Sequence, residues 1–147
     1  MFPIFEPFAL LLTAHLLGDV FFTSYRLSLL KRSSTGVTQV LGIALHCCVH
    51  ALFAGILLIL ADRLWLRGAV LVFVFHFLID LIRSSVEKRK FGPNRIHVKR
   101  SEFMAWISGK SDNPAKMNMR NLRPWFLINI LDQGAHVVSL LAIACTL

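Results

Sequence analysis

The chain has 147 residues, of which 56% are hydrophobic, and its formal net charge is +8. A chain of this length cannot bury so much apolar surface by itself, so a bilayer must cover much of it, which excludes an ordinary soluble domain. The sequence pI of about 10.1 does not indicate a nucleic-acid-binding protein. Lysine and arginine lie between the apolar runs, which is typical of membrane topology.

Four apolar runs are long enough to cross a bilayer, at about 20 residues per crossing. The predicted fold is all-α, a single transmembrane domain over residues 1–147 that forms an integral membrane four-helix bundle of up-down topology. No lysine or arginine precedes Arg26, so we predict that the first run is a mature helix and not a signal peptide. The three cysteines lie in apolar runs and predict no disulfide framework. The runs cover residues 5–22, 40–61, 64–82 and 125–146.

Lysine and arginine are distributed unevenly among the three connections. The first and third connections hold fourteen of the 16 basic residues, and the other two, Arg63 and Arg67, lie in the second connection and at the adjoining start of the third run. Cytoplasmic loops of membrane proteins carry an excess of lysine and arginine. The first and third connections are therefore predicted to be cytoplasmic, and both termini are predicted to lie outside.

The third connection, residues 83–124, is the longest part of the chain outside the runs. It has two turn signals, FGPN and SDNP, and between them SEFMAWIS predicts a short helix that carries Phe103, Met104, Trp106 and Ile107. We expect this helix to lie at the cytoplasmic interface of the membrane. Its basic flanks favour either ordinary anchoring or contact with an anionic headgroup of a lipid or substrate, and both stay open.

Apart from Glu6 and Arg67 near the outer ends of their runs, the ionisable residues of the four runs occur as pairs spaced i, i+4. This spacing places two side chains on one face of a helix. Each pair begins about 3–8 residues from the predicted cytoplasmic end, which at about 1.5 Å per residue places all pairs in one layer. Four polar faces are therefore expected to converge. The pairs are His15 and Asp19, His46 and His50, His76 and Asp80, and Asp132 and His136.

Eight ionisable groups inside a membrane need compensation, because each costs roughly 2.5–3.5 kcal/mol near the bilayer centre. An interhelical hydrogen bond would suffice for any single histidine. For the whole set, we predict that these eight residues hold one or two divalent metal ions, with zinc as the expected cofactor. Some of them would alternatively orient the ligands. Thr13, Thr23 and Gln133 are candidates to support the ligands, and for Gln133 a plain interhelical hydrogen bond is the alternative. His97 is predicted to be a surface residue.

These motifs carry a family resemblance. AHLLGD near the N-terminus, the paired histidines of the second run, HFLID in the third and LDQGAH in the last resemble the domain of unknown function 3307 family over essentially the whole chain. The ending DQxxH is the most specific part. The resemblance implies a small bacterial inner-membrane protein and no established activity. The long basic connection is expanded relative to the short forms of the family. A looser likeness, without a matched motif, exists to bacterial membrane-bound metal-dependent hydrolases.

Three functions of different class are compatible with this pattern. The preferred one is a metal-dependent hydrolase of a lipid or another membrane-partitioned ester, phosphoester or amide, with Asp132 or Asp19 as the base. The second is a component that transports protons or divalent metal. The apolar outer halves of the runs disfavour transport, unless a homo-oligomer supplies a path. The third is an accessory or scaffold protein with a structural metal.

Overall fold

The computed structural model describes residues 4–22, 25–32, 36–92, 100–110 and 119–147. Over these ranges the protein is all-helical and has no β-strand, as predicted. The first helix continues directly into a short π-helical segment, Gly18–Phe22. The α-helices are α1 (Phe5–Leu17), α2 (Tyr25–Lys31), α3 (Gly36–Leu60), α4 (Trp65–Phe91), α5 (Arg100–Ile107) and α6 (Met119–Ala144).

Three helices are long and apolar enough to cross a membrane, namely α3, α4 and residues Arg123–Ala144 of α6. The 25 residues of α3 would span a hydrocarbon layer of about 30 Å at about 1.5 Å per residue. Many large apolar side chains on these helices are exposed, among them Leu52, Leu60 and Val138. Such surface is expected on a helix that faces lipid. The predicted first crossing, residues 5–22, corresponds to α1 and the π-helical segment, and its crossing of the membrane stays a prediction.

An apolar core joins the four long helical segments at one end. Leu11 and Ala14 of α1 pack with residues of α3, α4 and α6. In α1 and α4 these residues precede the polar pair, whereas in α3 and α6 they follow it. Because all of them meet in one core, α1 and α4 run in the direction opposite to α3 and α6. The core residues of the other helices are Ala54, Leu58, Val72, Leu140, Ile143 and Ala144.

Helix α4 extends well beyond the predicted end at residue 82 and reaches Phe91. The extension has a buried face, formed by Ser84 and Glu87. Ser84 accepts a hydrogen bond of 2.5 Å from the side chain of Gln39 on α3. The predicted run ends at residue 82 because the inward-facing residues that follow it, Ser84 and Glu87, are polar. Helix α5 is present where the sequence predicted a short helix, and its residues Met104 and Ile107 are exposed.

Helix α2 lies within the first connection and was not predicted. It packs against α3 at Gly42, where an added Cβ would lie only 2.6 Å from the backbone carbonyl carbon of Leu30. Glycine therefore permits a helix contact that any side chain would obstruct. The contact matters for the site, because Lys31 at the end of α2 reaches a buried aspartate on α4.

Candidate metal centre

The eight residues of the four predicted pairs lie together between the helices. α1 and its π-helical segment supply His15 and Asp19, and the other pairs come from α3, α4 and α6. The five imidazole rings form a continuous cluster, in which neighbouring ring centroids are 4.0–5.3 Å apart. Seven of the eight residues are buried, and Asp19 has 31% of its side chain exposed. The i, i+4 spacing thus places four polar faces against one another.

Asp19, His46 and His50 form the most compact set of potential ligands. Asp19 Oδ1 lies 3.3 Å from His50 Nε2 and 3.6 Å from His46 Nε2, and the two ring nitrogens are 3.2 Å apart. Two ligand atoms bound about 2.0–2.2 Å from one tetrahedral ion are about 3.3–3.6 Å apart. The three atoms therefore have nearly the separations that a zinc-like ion requires, and one further position would remain for water or substrate.

A second set combines Asp80, Asp132 and His136, whose ligand atoms lie within 4.8 Å of one another. His136 Nδ1 is 2.8 Å from the backbone carbonyl of Asp132, so Nδ1 donates the hydrogen. In a neutral ring, Nε2 then carries the lone pair. This nitrogen is buried and has no hydrogen-bond partner among the described residues. A histidine with one nitrogen held by a carbonyl and the other available has the usual arrangement of a metal ligand.

Two further sets of potential metal ligands share residues with the first two sets and lie between them. One consists of His15, His50 and His76, and the other of His46, His76 and Asp80. Because they share members with the first two, the four sets cannot all be occupied at once. Asp19–His46–His50 and Asp80–Asp132–His136 have no residue in common, so two ions are geometrically compatible with the cluster.

Two cations beside the cluster were not identified as site residues from the sequence. Lys31 Nζ is 2.7 Å from Asp80 Oδ2, and one guanidinium nitrogen of Arg83 is 2.7 Å from Asp132 Oδ2. Arg83 also donates to Asn129 Oδ1 at 2.8 Å and to Glu87 Oε1 at 3.2 Å. The i, i+3 spacing from Asp80 placed Arg83 near the polar face of α4. No spacing along the chain indicates that Lys31 folds back onto Asp80.

The two cations change the charge balance of the predicted site. Among the described residues, Lys31 pairs with Asp80 and Arg83 with Asp132, whereas Asp19 contacts only imidazoles. The local charge of these groups is therefore minus one with neutral imidazoles. Glu87 adds no net charge, because Arg32 lies 3.8 Å from its carboxylate. One divalent ion would bring the cluster to plus one, and two would bring it to plus three. While both cations remain in place, the electrostatics therefore favour one ion.

The predicted supporting residues differ in their positions. Gln133 Oε1 lies 3.4 Å from His15 Nε2, so Gln133 contacts the histidine of α1. Thr13 is exposed on α1, and its supporting role stays a prediction. Thr23 and His97 lie outside the described residues. A supporting position that the sequence did not indicate is Gly18, where an added Cβ would lie 2.5 Å from Cε1 of His50.

The comparisons with known proteins place the chain in a family without assigning it an activity. A family model described as "Protein of unknown function (DUF3307)" matches residues 8–147. No curated protein and no solved structure matches the chain. The match covers nearly the whole length, including all four polar pairs, and it agrees with the resemblance found in the motifs. The chain therefore belongs to the DUF3307 family of proteins of unknown function.

Proposed function

We propose that the protein is a polytopic membrane protein that binds a divalent metal ion in the His/Asp cluster and uses it to hydrolyse a membrane-partitioned substrate. The observation that carries the proposal is the set Asp19, His46 and His50, whose three ligand atoms are 3.2–3.6 Å apart at the edge of a buried polar cluster. Zinc is the proposed ion, because one carboxylate and two imidazoles are a frequent ligand set of catalytic zinc.

We propose that α1 with its π-helical segment, α3, α4 and α6 form an up-down four-helix bundle across the membrane. The opposite directions of neighbouring helices support this arrangement, and so does the exposed apolar surface of α3, α4 and α6. The apolar core lies on one side of the polar layer, and Lys31, Arg83 and Glu87 lie on the other. The charged side is the proposed cytoplasmic side, in agreement with the distribution of basic residues. Residues 1–147 then form one transmembrane domain.

The proposed reaction is hydrolysis of an ester, phosphoester or amide. A divalent ion would supply polarisation of the carbonyl or phosphoryl oxygen and activation of water. Of the two predicted bases, Asp19 has the better position, because it is the partly exposed carboxylate of the cluster and its Oδ2 lies 3.5 Å from His15 Nε2. Asp132 is enclosed and bound to Arg83. With Asp19 Oδ1 as the metal ligand, we assign proton transfer to its second oxygen, Oδ2, beside His15, and the positioning of α6 to Asp132.

The proposed substrate is a lipid or a lipid-like molecule that reaches the cluster from the cytoplasmic leaflet. Asp19 lies at the accessible edge of the cluster, and Gln133 on α6, which contacts His15, is exposed. Substrate entering between α1 and α6 would meet these two side chains first. The basic residues of the long connection would attract an anionic headgroup to the same surface of the membrane.

Transport of a proton or a divalent metal is the second candidate. The overlapping ligand sets favour it, because an ion could pass from one set to the next through shared His46, His50 and Asp80. Against it stands the apolar core, in which Leu11, Leu58 and Ile143 are at most 1% exposed. These side chains give an ion no ligand in the outer half of the protein.

The metal proposal is tested on the full chain, extracted in mild detergent without chelator. Purified protein should contain about one equivalent of a transition metal, measured by elemental mass spectrometry. The double variant His46→Ala/His50→Ala should lose most of it, whereas His97→Ala, a histidine outside the polar pairs, should retain it. Folded wild-type protein that contains no metal and takes up none on titration with Zn²⁺ would overturn the proposal.

The reaction is tested in proteoliposomes of bacterial lipid extract that enclose a metal-sensitive or pH-sensitive dye. Lipid mass spectrometry should show a cleaved product with wild-type protein and none with Asp19→Asn, and the dye should not respond. Metal content measured on the same variant distinguishes loss of the base from loss of the ion. A dye response that requires Asp19, without any cleaved lipid, would replace the hydrolase by the transporter.

A further inference from the structure

We propose that Asp80, Asp132 and His136 form a second cation site, and that the ammonium group of Lys31 binds Asp80 in this structure as an exchangeable cation. The inference rests on the proposed metal centre at Asp19, His46 and His50. It adds a second ion-binding position, at which Lys31 determines whether a metal ion can bind. The proposed ligand is a divalent metal ion, which would bind when α2 withdraws Lys31.

Three observations identify the position as a cation site. Lys31 Nζ lies 2.7 Å from Asp80 Oδ2, and the ligand atoms of Asp80, Asp132 and His136 lie within 4.8 Å of one another. Asp132 Oδ1 and His136 Nε2 are buried acceptors that have no hydrogen-bond partner among the described residues. Leaving such groups buried and unsatisfied is costly, unless a cation can approach them.

The two cations at this position are held very differently. Arg83 is fixed by three partners on α4 and α6, namely Asp132, Asn129 and Glu87. Lys31 is in the last turn of α2, a helix of seven residues. The position of α2 depends on its close contact with Gly42. A small displacement of α2 would therefore withdraw the ammonium and leave Arg83 in place.

A metal ion and the ammonium exclude each other at Asp80. A ligated ion would be about 2.0–2.2 Å from a carboxylate oxygen, and the ammonium nitrogen is already 2.7 Å from Oδ2. Both cations on one carboxylate would repel each other strongly in a poorly solvated interior. Exchange raises the local charge by only one, whereas addition of the metal beside Lys31 raises it by two. Binding of a second metal is thus coupled to release of Lys31.

The test is a Zn²⁺ titration of metal-depleted full-length protein in detergent, with Lys31→Met as the variant. Wild-type protein should bind one equivalent tightly and a second weakly. Lys31→Met should bind the second at least about tenfold more tightly, within the range of ordinary coupling between sites. Lys88→Met, which changes an exposed lysine of α4, should behave as wild type.

If Lys31→Met and wild type bind the second equivalent equally, the inference is wrong and the first site still stands. If neither protein binds a first equivalent, the proposed metal centre fails as well.

A second measurement needs no variant and therefore does not depend on the folding of Lys31→Met. Wild-type protein is treated with an amine-selective acylating reagent at increasing Zn²⁺ concentrations, and acylation of Lys31 is followed by peptide mass spectrometry. Acylation should remain low up to one equivalent and rise as the second equivalent binds, while acylation of Lys88 stays constant. Acylation of Lys31 that does not change with the second equivalent would contradict the exchange.

Discussion

At the scale of single residues, the geometry of the cluster depends on a glycine as well as on the ligands. Gly18 lies at the start of the π-helical segment and faces the imidazole of His50. Because it lacks a Cβ, His50 can stay within 3.3 Å of Asp19 Oδ1 and 3.2 Å of His46 Nε2. The geometry of the proposed metal set is therefore sensitive to a residue that carries no chemistry of its own.

Gly18→Ala should disrupt metal binding without removing any ligand. The new methyl group would lie 2.5 Å from Cε1 of His50, so the ring must move away from Asp19 and His46. We expect Zn²⁺ affinity to fall at least about tenfold, since catalytic geometry tolerates displacements of only about 0.5 Å. The matched control is Gly134→Ala on α6, where an added Cβ meets nothing within 4 Å. Equal affinities of the two variants in a competition titration would refute the argument.

At the scale of the elements, the sequence predicts the four long helical segments and their polar faces, but it predicts neither α2 nor the charged side chains that face inward. Spacing at i, i+4 correctly indicated which faces of the four runs meet, because helix geometry alone relates these positions. From the sequence, Lys31 and Arg83 are only two of the basic residues that indicate which connections are cytoplasmic. Their roles depend on tertiary contacts, with α2 folded onto Gly42 and α4 continued past residue 82. The π-helical turn at Gly18–Phe22 has no signal in the hydropathy pattern either.

Arg83 should stabilise the contact between α4 and α6, since it binds Asp132 and Asn129 from a largely buried position. Arg83→Met leaves the buried carboxylate of Asp132 without its cation, which should lower the free energy of unfolding by about 2–5 kcal/mol. The measurement is an unfolding titration with SDS in mixed micelles. The double variant Arg83→Met/Asp132→Asn should recover part of this loss. Arg89→Met, an exposed position of α4, should change stability by no more than about 0.5 kcal/mol.

At the scale of the whole molecule, the protein has two unlike ends separated by the polar cluster. One end is the apolar core around Leu11, Leu58 and Ile143, and the other contains the paired charges of Lys31, Arg83 and Glu87. Near the apolar end, Arg63 and Glu6 form an ion pair between the α3–α4 connection and the first turn of α1. The orientation of these two ends in a membrane stays a prediction, in which the basic connections are cytoplasmic.

The orientation predicts that residue 111 is cytoplasmic and that the C-terminal end is outside. Single cysteines introduced at Ser111 and, separately, after Leu147 are treated with a membrane-impermeant thiol reagent in intact cells. The native cysteines must first be replaced, because Cys48 and Cys145 are exposed. The C-terminal cysteine should be labelled at once, and the cysteine at position 111 only after permeabilisation. The reverse pattern would show that the topology is inverted.

The apolar core also determines how the proposed centre would respond to membrane voltage. In the proposed bundle, water and charge would reach the polar layer from the charged side only. Most of the potential drop would then fall across the core, whose members among the described residues carry no titratable side chain. An ion that enters the cluster from the charged side crosses little of this field, although full passage would involve about 2.3 kcal/mol per elementary charge at 100 mV. Occupancy of the centre should therefore be the same in energised and de-energised vesicles, and turnover should generate no current.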